Sequence, residues 1–265
     1  MVLTAAALRG ALGFLSRAPV GRSDGDWEAF RRTPAALPAV GYPIGALGAL
    51  PVAAAALAPV RVPSLTVGVA FAAWLYLVTG ITHLDGVADL GDAAVVHGDA
   101  DRRREVMKDS ALGVGGTVAL ALVVLGLAAA AAAIADLARG SPVGAVALVV
   151  AAEVGAKAAT ATLVCVGEAA HEGLGAALTE ASDPRALVGV ALATAPVLPL
   201  GRVAISPGGP GVVAGALTAA AVVAALAFAW SRARLGGVSG DVLGATSELA
   251  RVAGLHAGVI AWTLS

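Results

Sequence analysis

The sequence predicts an all-α, polytopic membrane protein: one bundle of about seven transmembrane helices, with an N-terminal helix lying at the interface. Three observations carry this. Hydrophobic residues make up 58% of the chain and charged residues only 13%, against about 45–50% and 25% in ordinary soluble domains. The apolar segments run to about twenty residues, which suits a membrane-crossing helix and is too long for a barrel strand. The apolar excess is mostly Ala, Val and Leu, with 34 Gly, and small residues let neighbouring helix backbones approach closely in a bilayer.

The first segment, Met1–Ser16, is apolar but interrupted by Arg9. That charge spoils the uninterrupted core of a signal peptide and leaves an interfacial amphipathic helix. Arg17–Pro38 is polar and reads as irregular, so residues 1–38 form a cytoplasmic or interfacial segment. Seven apolar runs follow, at about 39–58, 63–82, 113–135, 142–165, 186–205, 210–230 and 242–262. The fourth contains Glu153 and Lys157 at i, i+4, a spacing that makes a neutralising ion pair, although charges within a span are functional candidates by default. Pro and Gly in Ser206–Gly211 predict a tight turn between two spans. The polar stretches 83–112 and 231–242 are expected as active-site loops. No internal repeat is visible, so residues 1–265 read as one membrane-embedded domain. The lone Cys165 excludes an intramolecular disulfide and a cysteine-rich metal site.

Charge orients the bundle. Summed over alternate loops, Lys and Arg number twelve on one side and three on the other. The positive side, which holds the N-terminus and the 83–112 stretch, is expected in the cytoplasm and the protein in the cell's inner membrane. A net charge of −1 gives no electrostatic reason to expect nucleic acid.

Chemistry concentrates in Thr79–Asp92, which follows the second apolar run. From Asp85 onward a helix would place Asp85, Asp89 and Asp92 at i, i+4 and i+7, on one face. Crowded carboxylates repel one another and want a cation, and an all-oxygen set favours Mg²⁺ over Zn²⁺. The plainer reading is an acidic helix start favoured by the helix dipole. His83 precedes this face and has the pKa of a general base. Two further polar groups fall on the same side. In Met107–Gly116, Lys108 can meet a phosphate as a point charge, or simply snorkel, with Asp109 and Ser110 beside it. In Gly236–Gly244, a glycine-rich turn precedes the last span and offers backbone N–H groups to phosphate, or is only a flexible turn with Asp241 as the helix N-cap. Asp241 and Glu248, at i and i+7, can add metal ligands. His171–Gly175 is a fourth polar group.

These stretches together resemble a known family. H-L-D-G-V-A-D-L-G-D-A from His83, M-K-D-S-A-L-G-V-G-G from Met107 and L-G-G-V-S-G-D-V-L-G-A from Leu235 are similar to the cobalamin synthase family, the adenosylcobinamide-GDP ribazoletransferases. Phe14–Val20 (F-L-S-R-A-P-V), Tyr42–Ala49 (Y-P-I-G-A-L-G-A) and His171–Gly175 match in the same order, so the likeness covers nearly the whole chain. The resemblance implies joining of adenosylcobinamide-GDP to α-ribazole or its 5′-phosphate, with Mg²⁺, in the membrane, and release of GMP. For that chemistry Asp85, Asp89, Asp92, Asp109 and Asp241 are expected as metal ligands and His83, Asp85 and Asp89 as catalytic, roles that the resemblance does not itself assign. Lys108, Ser110, Gly236, Gly237, Ser239 and Gly240 would bind substrate. Ser239 stands where the family pattern has Thr, which keeps the hydroxyl. The partners expected are those two substrates and the lipid bilayer, with homo-oligomerisation left open. Two other Mg²⁺-dependent membrane transferases, the CDP-alcohol phosphatidyltransferases and the prenyltransferases, match these spacings poorly. An ion-coupled transporter would call for inverted repeats and broken midplane helices, and a purely structural subunit leaves the carboxylate face unexplained.

Overall fold

A computed structural model describes residues 3–20, 23–205 and 208–265, and among them there is no named strand. The helices begin where the sequence supplies caps. Thr4 accepts from the Ala7 amide to start α1 (Ala5–Leu15), and Ser23 accepts from Asp26 to start α2 (Asp24–Arg31). This second helix lies within the stretch expected to be irregular. Its acidic first turn and terminal Arg31 complement the helix dipole, which an apolar-run search overlooks.

The first apolar run becomes α3 (Ala36–Gly48) and α4 (Leu50–Leu57), divided at Ala49 just ahead of Pro51. The second becomes α5 (Ser64–Thr79). Gly80, at φ 80°, then ends α5, and α6 (Thr82–Val95) departs at 106° from its direction. Only a residue tolerant of positive φ makes this corner. Next comes α7 (Ala100–Met107), capped by Asp99. The 83–112 stretch, expected as a loop, is thus largely two helices. Three long or broken spans follow: α8 (Val114–Ala138), α9 (Pro142–Val166), and a run over 184–204 made of α11 (Leu187–Thr194) and α12 (Leu198–Ala204) with 3-10 turns at its prolines; the short α10 (Leu174–Thr179) precedes that run. The last two helices are α13 (Gly209–Leu235) and α14 (Gly240–Thr263). Of the expected turn at Ser206–Gly211, Ser206 and Pro207 lie outside the described residues, while the Gly211 amide donates to Gly208 O at 2.9 Å.

All seven apolar runs are therefore helical. By length and apolarity five helices can cross a bilayer, or six if the bent pair α5–α6 counts as one span. The expected count of about seven includes α14, which is long enough but carries Glu248, Arg251 and His256. Those charges are tolerable because α14 is central: it packs on α13, α9, α6 and α8. Its neighbour α9 is enclosed by α3, α13 and α14. Glycines set the close crossings. A Cβ on Gly41 or Gly45 of α3 would sit within 3 Å of a Cα of α9, so the Tyr42–Ala49 motif is a packing surface.

Candidate active site

The acidic helix α6 is held by glycine contacts on two sides. A Cβ on Gly86 would lie 2.5 Å from the Asp241 carbonyl oxygen, and Gly244 faces His83 at the same crossing. One turn later Gly91 abuts Gly115 of α8, where a Cβ would meet the Gly115 carbonyl at 2.7 Å. The glycines between the aspartates are thus what let α6 lie against the starts of both α14 and α8. A consequence is that Asp241 is brought beside Asp85 and Asp89. Asp89 lies beyond the α5 corner, in the polar stretch that follows the second apolar run. Its carboxyl is pushed up to about 7, by burial first and then by repulsion from Asp241, Asp85 and Asp92.

Asp241 joins this cluster to a cavity of about 1000 Å³, which His83 and Gly240 also line, while Asp85 and Asp89 line neither this cavity nor the smaller recess beside it. Much of its remaining wall comes from the C-terminal end of α1, the α2 region and the α5–α6 corner, with His171, Leu174 and residues of α14 closing it. A smaller recess of about 70 Å³ is lined by Arg104, Lys108, His171, Ser239 and Asp241. Asp241 and His171 border both spaces. Helix α7, which presents Arg104 and Lys108, is anchored by cations at helix C-termini, where the dipole favours them. Arg103 donates to the Ala93 carbonyl at the end of α6, and Arg104 to the Leu235 carbonyl at the end of α13.

Not every expected residue lies where its chemistry asks. Asp92 accepts from the Gly113 and Gly116 amides at 2.8 and 2.9 Å, so it caps α8 and ties α8 to α6. Asp109 caps its own turn, accepting from Ala111 at 3.0 Å, and Asp109 and Ser110 are exposed and line neither cavity. Gly236, at φ 81°, closes α13 as a left-handed C-cap. Gly237 is pressed against the Glu168 carbonyl, and the Val238 amide donates to that same oxygen at 2.8 Å. The first half of the glycine-rich turn therefore builds the chain path instead of cradling a ligand. Ser239 caps α14 through the Val242 amide, and its hydroxyl lies 3.3 Å from Asp241 Oδ2.

Sequence reasoning missed a buried charge network behind His83. The imidazole Nδ1 lies 3.5 Å from Glu248 Oε1, and Tyr76 donates to the other Glu248 oxygen at 3.2 Å. Arg251 bridges Glu248 at 2.6 Å and Glu153 at 2.5 Å, while Lys157 lies 3.3 Å from Glu153 and donates to Ser247 at 2.8 Å. Glu248, expected as a further metal ligand, has its oxygens taken here, and Glu153–Lys157 is one part of a larger set. The available signal was two apolar runs carrying opposite charges: Glu153 and Lys157 in one, Glu248 and Arg251 in the other.

Among the described residues, no three His, Cys, Asp or Glu side chains are already gathered as a metal nest. Mg²⁺ does not need one. It keeps several waters and is held by one or two carboxylates plus substrate phosphate oxygens. The uncompensated Asp85, Asp89 and Asp241 supply that donor set, all oxygen, and fit the ion.

Fold and site define a multi-pass helical membrane protein with a carboxylate-lined cleft near one end of its helices. A model of the family described as cobalamin-5-phosphate synthase matches residues 7–259. The adenosylcobinamide-GDP ribazoletransferase of Halorubrum lacusprofundi is 60% identical over 99% of this chain and 99% of its own. Proteins of the same name from Haloquadratum walsbyi and Methanocella arvoryzae are 46% and 34% identical, each match spanning at least 96% of both chains. No solved structure matches. The chain belongs to the cobalamin-5-phosphate synthase family, and it is a transferase of cobalamin biosynthesis.

Proposed function

We propose that this enzyme joins adenosylcobinamide-GDP to α-ribazole, or to its 5′-phosphate, and releases GMP, in a reaction that requires Mg²⁺. The observation that carries the reading is the meeting of two distant motifs at one cavity, with His83 and Asp241 on its wall and Asp89 short of counter-charge beside Asp241. A hydroxyl nucleophile, a base and a diphosphate acceptor are what the reaction brings together, and phosphoryl transfer is chiefly positioning and charge neutralisation.

Each residue's part follows from its surroundings. Asp85, Asp89 and Asp241 hold the ion, which neutralises diphosphate charge when bound. Asp92 sets the α6–α8 crossing that aims this face. With Glu248 beside Nδ1, the neutral imidazole of His83 keeps its proton there and leaves Nε2 basic, ready to take the ribazole hydroxyl proton. Lys108, with Ser239 at the neighbouring recess, supplies positive charge and a hydroxyl next to Asp241. The excess of Lys and Arg on this side supports a cytoplasmic site in the plasma membrane, where nucleotide substrates are made. The test supplies detergent-solubilised protein with adenosylcobinamide-GDP, α-ribazole and Mg²⁺. Stoichiometric GMP and a cobalamin product are expected, and neither appearing in a folded preparation sinks the reading.

A further inference from the structure

The Phe14–Val20 motif has no part in the chemistry so far, yet it contributes several residues to the wall of the large cavity. Among the described residues lining that cavity, Arg17 is the only Arg or Lys. Its backbone is pinned at the site's main corner. The Arg17 amide donates to Val78 O at 2.8 Å, close to where α5 ends and α6 begins. Its stem leans on Gly80, since a Cβ there would lie 3.8 Å from Arg17 Cγ. The chain is fixed on both flanks, because Ser16 accepts from the Ala18 amide at 3.2 Å and donates to Leu12 O at 2.7 Å.

The guanidinium, by contrast, is exposed and makes no ion pair among the described residues. Three carboxylates, Asp24, Asp26 and Asp241, border the same space. Asp26 instead pairs with Arg9 at 2.9 Å. A rigidly mounted arginine left without a carboxylate, on the wall of a cavity that also holds His83 and the acidic cluster's Asp241, is placed for an anion that arrives with the substrate.

We propose that Arg17 binds the diphosphate of the guanosine-diphosphate-bearing substrate and holds the phosphate that departs with GMP. This rests on the transfer proposed above. In that transfer the ribazole hydroxyl oxygen forms a bond to the phosphorus that carries cobinamide. The bond from that phosphorus to the bridging oxygen breaks, its electron pair leaves with the phosphate of GMP, and the hydroxyl proton passes to the base. Negative charge therefore grows on the departing phosphate, and a cation facing its oxygens stabilises it; Asp85, Asp89 and Asp241 would hold Mg²⁺, which would neutralise part of the diphosphate charge. A guanidinium presents two parallel N–H donors to such oxygens, which an ammonium cannot.

Steady-state kinetics of wild type, Arg17→Ala and Arg17→Lys test this, with each substrate varied in turn and GDP as a competing ligand. Arg17→Ala is expected to lower kcat/KM for adenosylcobinamide-GDP about 10²-fold and to weaken inhibition by GDP about tenfold. Its KM for α-ribazole stays within about twofold, and Arg17→Lys recovers part of the loss because it keeps the charge without the fork. The contact with Val78 is made by the backbone, so the substitutions leave it in place. Should Arg17→Ala not reach the membrane, Arg17→Gln, which keeps most of the stem, carries the same comparison. Unchanged GDP inhibition, or a KM for α-ribazole raised as much as that for adenosylcobinamide-GDP, overturns the assignment while leaving an active wild type to uphold the transfer. A wild type that releases no GMP overturns both.

Discussion

Two groups of charged side chains sit on either side of His83, and they are built on opposite principles. Behind it, Glu153 and Glu248 face Arg251 and Lys157 in the dry interior between α9 and α14, so two negative charges meet two positive ones at 2.5–3.3 Å. In front, Asp89 lies near Asp85 and Asp241 with no cation among the described residues in salt-bridge reach, and burial together with that repulsion raises its carboxyl to about 7. Burying charge is affordable only when it is paired. The rear group is complete, so its role is to fix the helices and to hold His83 from behind. The front group has no such partner among the described residues, and the proposed Mg²⁺ would supply one. His83, touching Glu248 while lining the cavity, joins the two.

Removing one member of each group should give opposite results. Arg251→Leu leaves Glu153 and Glu248 buried without their main partner. A loss of about 3–5 kcal/mol is expected for breaking a buried pair, read as a large fall in the unfolding midpoint in detergent. Asp89→Asn removes a repulsive charge instead. It should lower turnover at least about 10²-fold while leaving the midpoint of the metal-free protein unchanged or slightly raised. If both variants lost stability alike, the contrast between the groups would be gone.

A smaller effect sharpens the front group through pH. The Asp89 carboxyl, ordinary near 3.8 when unfolded, is raised to about 7 in the fold. Between these values the folded, metal-free protein binds the extra proton, so this group's contribution to stability is greatest at low pH and is lost as pH rises through about 7. Mg²⁺ held by Asp89 would have to displace that proton. The Mg²⁺ concentration giving half-maximal rate should therefore rise as pH falls from 8 to 6, and in Asp89→Asn that dependence should flatten. An equal Mg²⁺ requirement at both pH values would detach Asp89 from the ion.

The smallest effect is expected at Asp92. As a cap on the Gly113 and Gly116 amides, its loss in Asp92→Ala should cost about 1 kcal/mol of stability and reduce rate less than Asp89→Asn does. A midpoint unchanged by Asp92→Ala, together with a rate as low as that of Asp89→Asn, would return Asp92 to the metal shell.

The spans were readable because each apolar run is long and local. The helix α2 was not, since eight residues of mixed charge carry no membrane signal and depend on Ser23 and the aspartates of the first turn. Local spacing also placed Asp85 and Asp89 together correctly, on one helix. It misled at Asp109 and Ser110, whose neighbourhood with Lys108 in sequence does not survive the turn after α7. The approach of Asp241 to Asp89 depends on Gly86 admitting the α14 backbone, a contact between elements far apart in the chain. The i, i+4 pair Glu153–Lys157 was visible within α9, whereas Arg251 and Glu248 joined it only through the packing of α14 on α9. The resemblance to the family named the reaction without saying which aspartates cap helices and which stay free.

The most direct measurement is GMP release by solubilised wild type and Asp89→Asn, side by side, with adenosylcobinamide-GDP and α-ribazole, with and without Mg²⁺. The account predicts GMP and cobalamin in equal amounts from the wild type only when Mg²⁺ is present. It predicts almost none from Asp89→Asn, whose unfolding midpoint matches or exceeds that of the wild type. Wild-type turnover without any divalent cation, or full activity in Asp89→Asn, would contradict it.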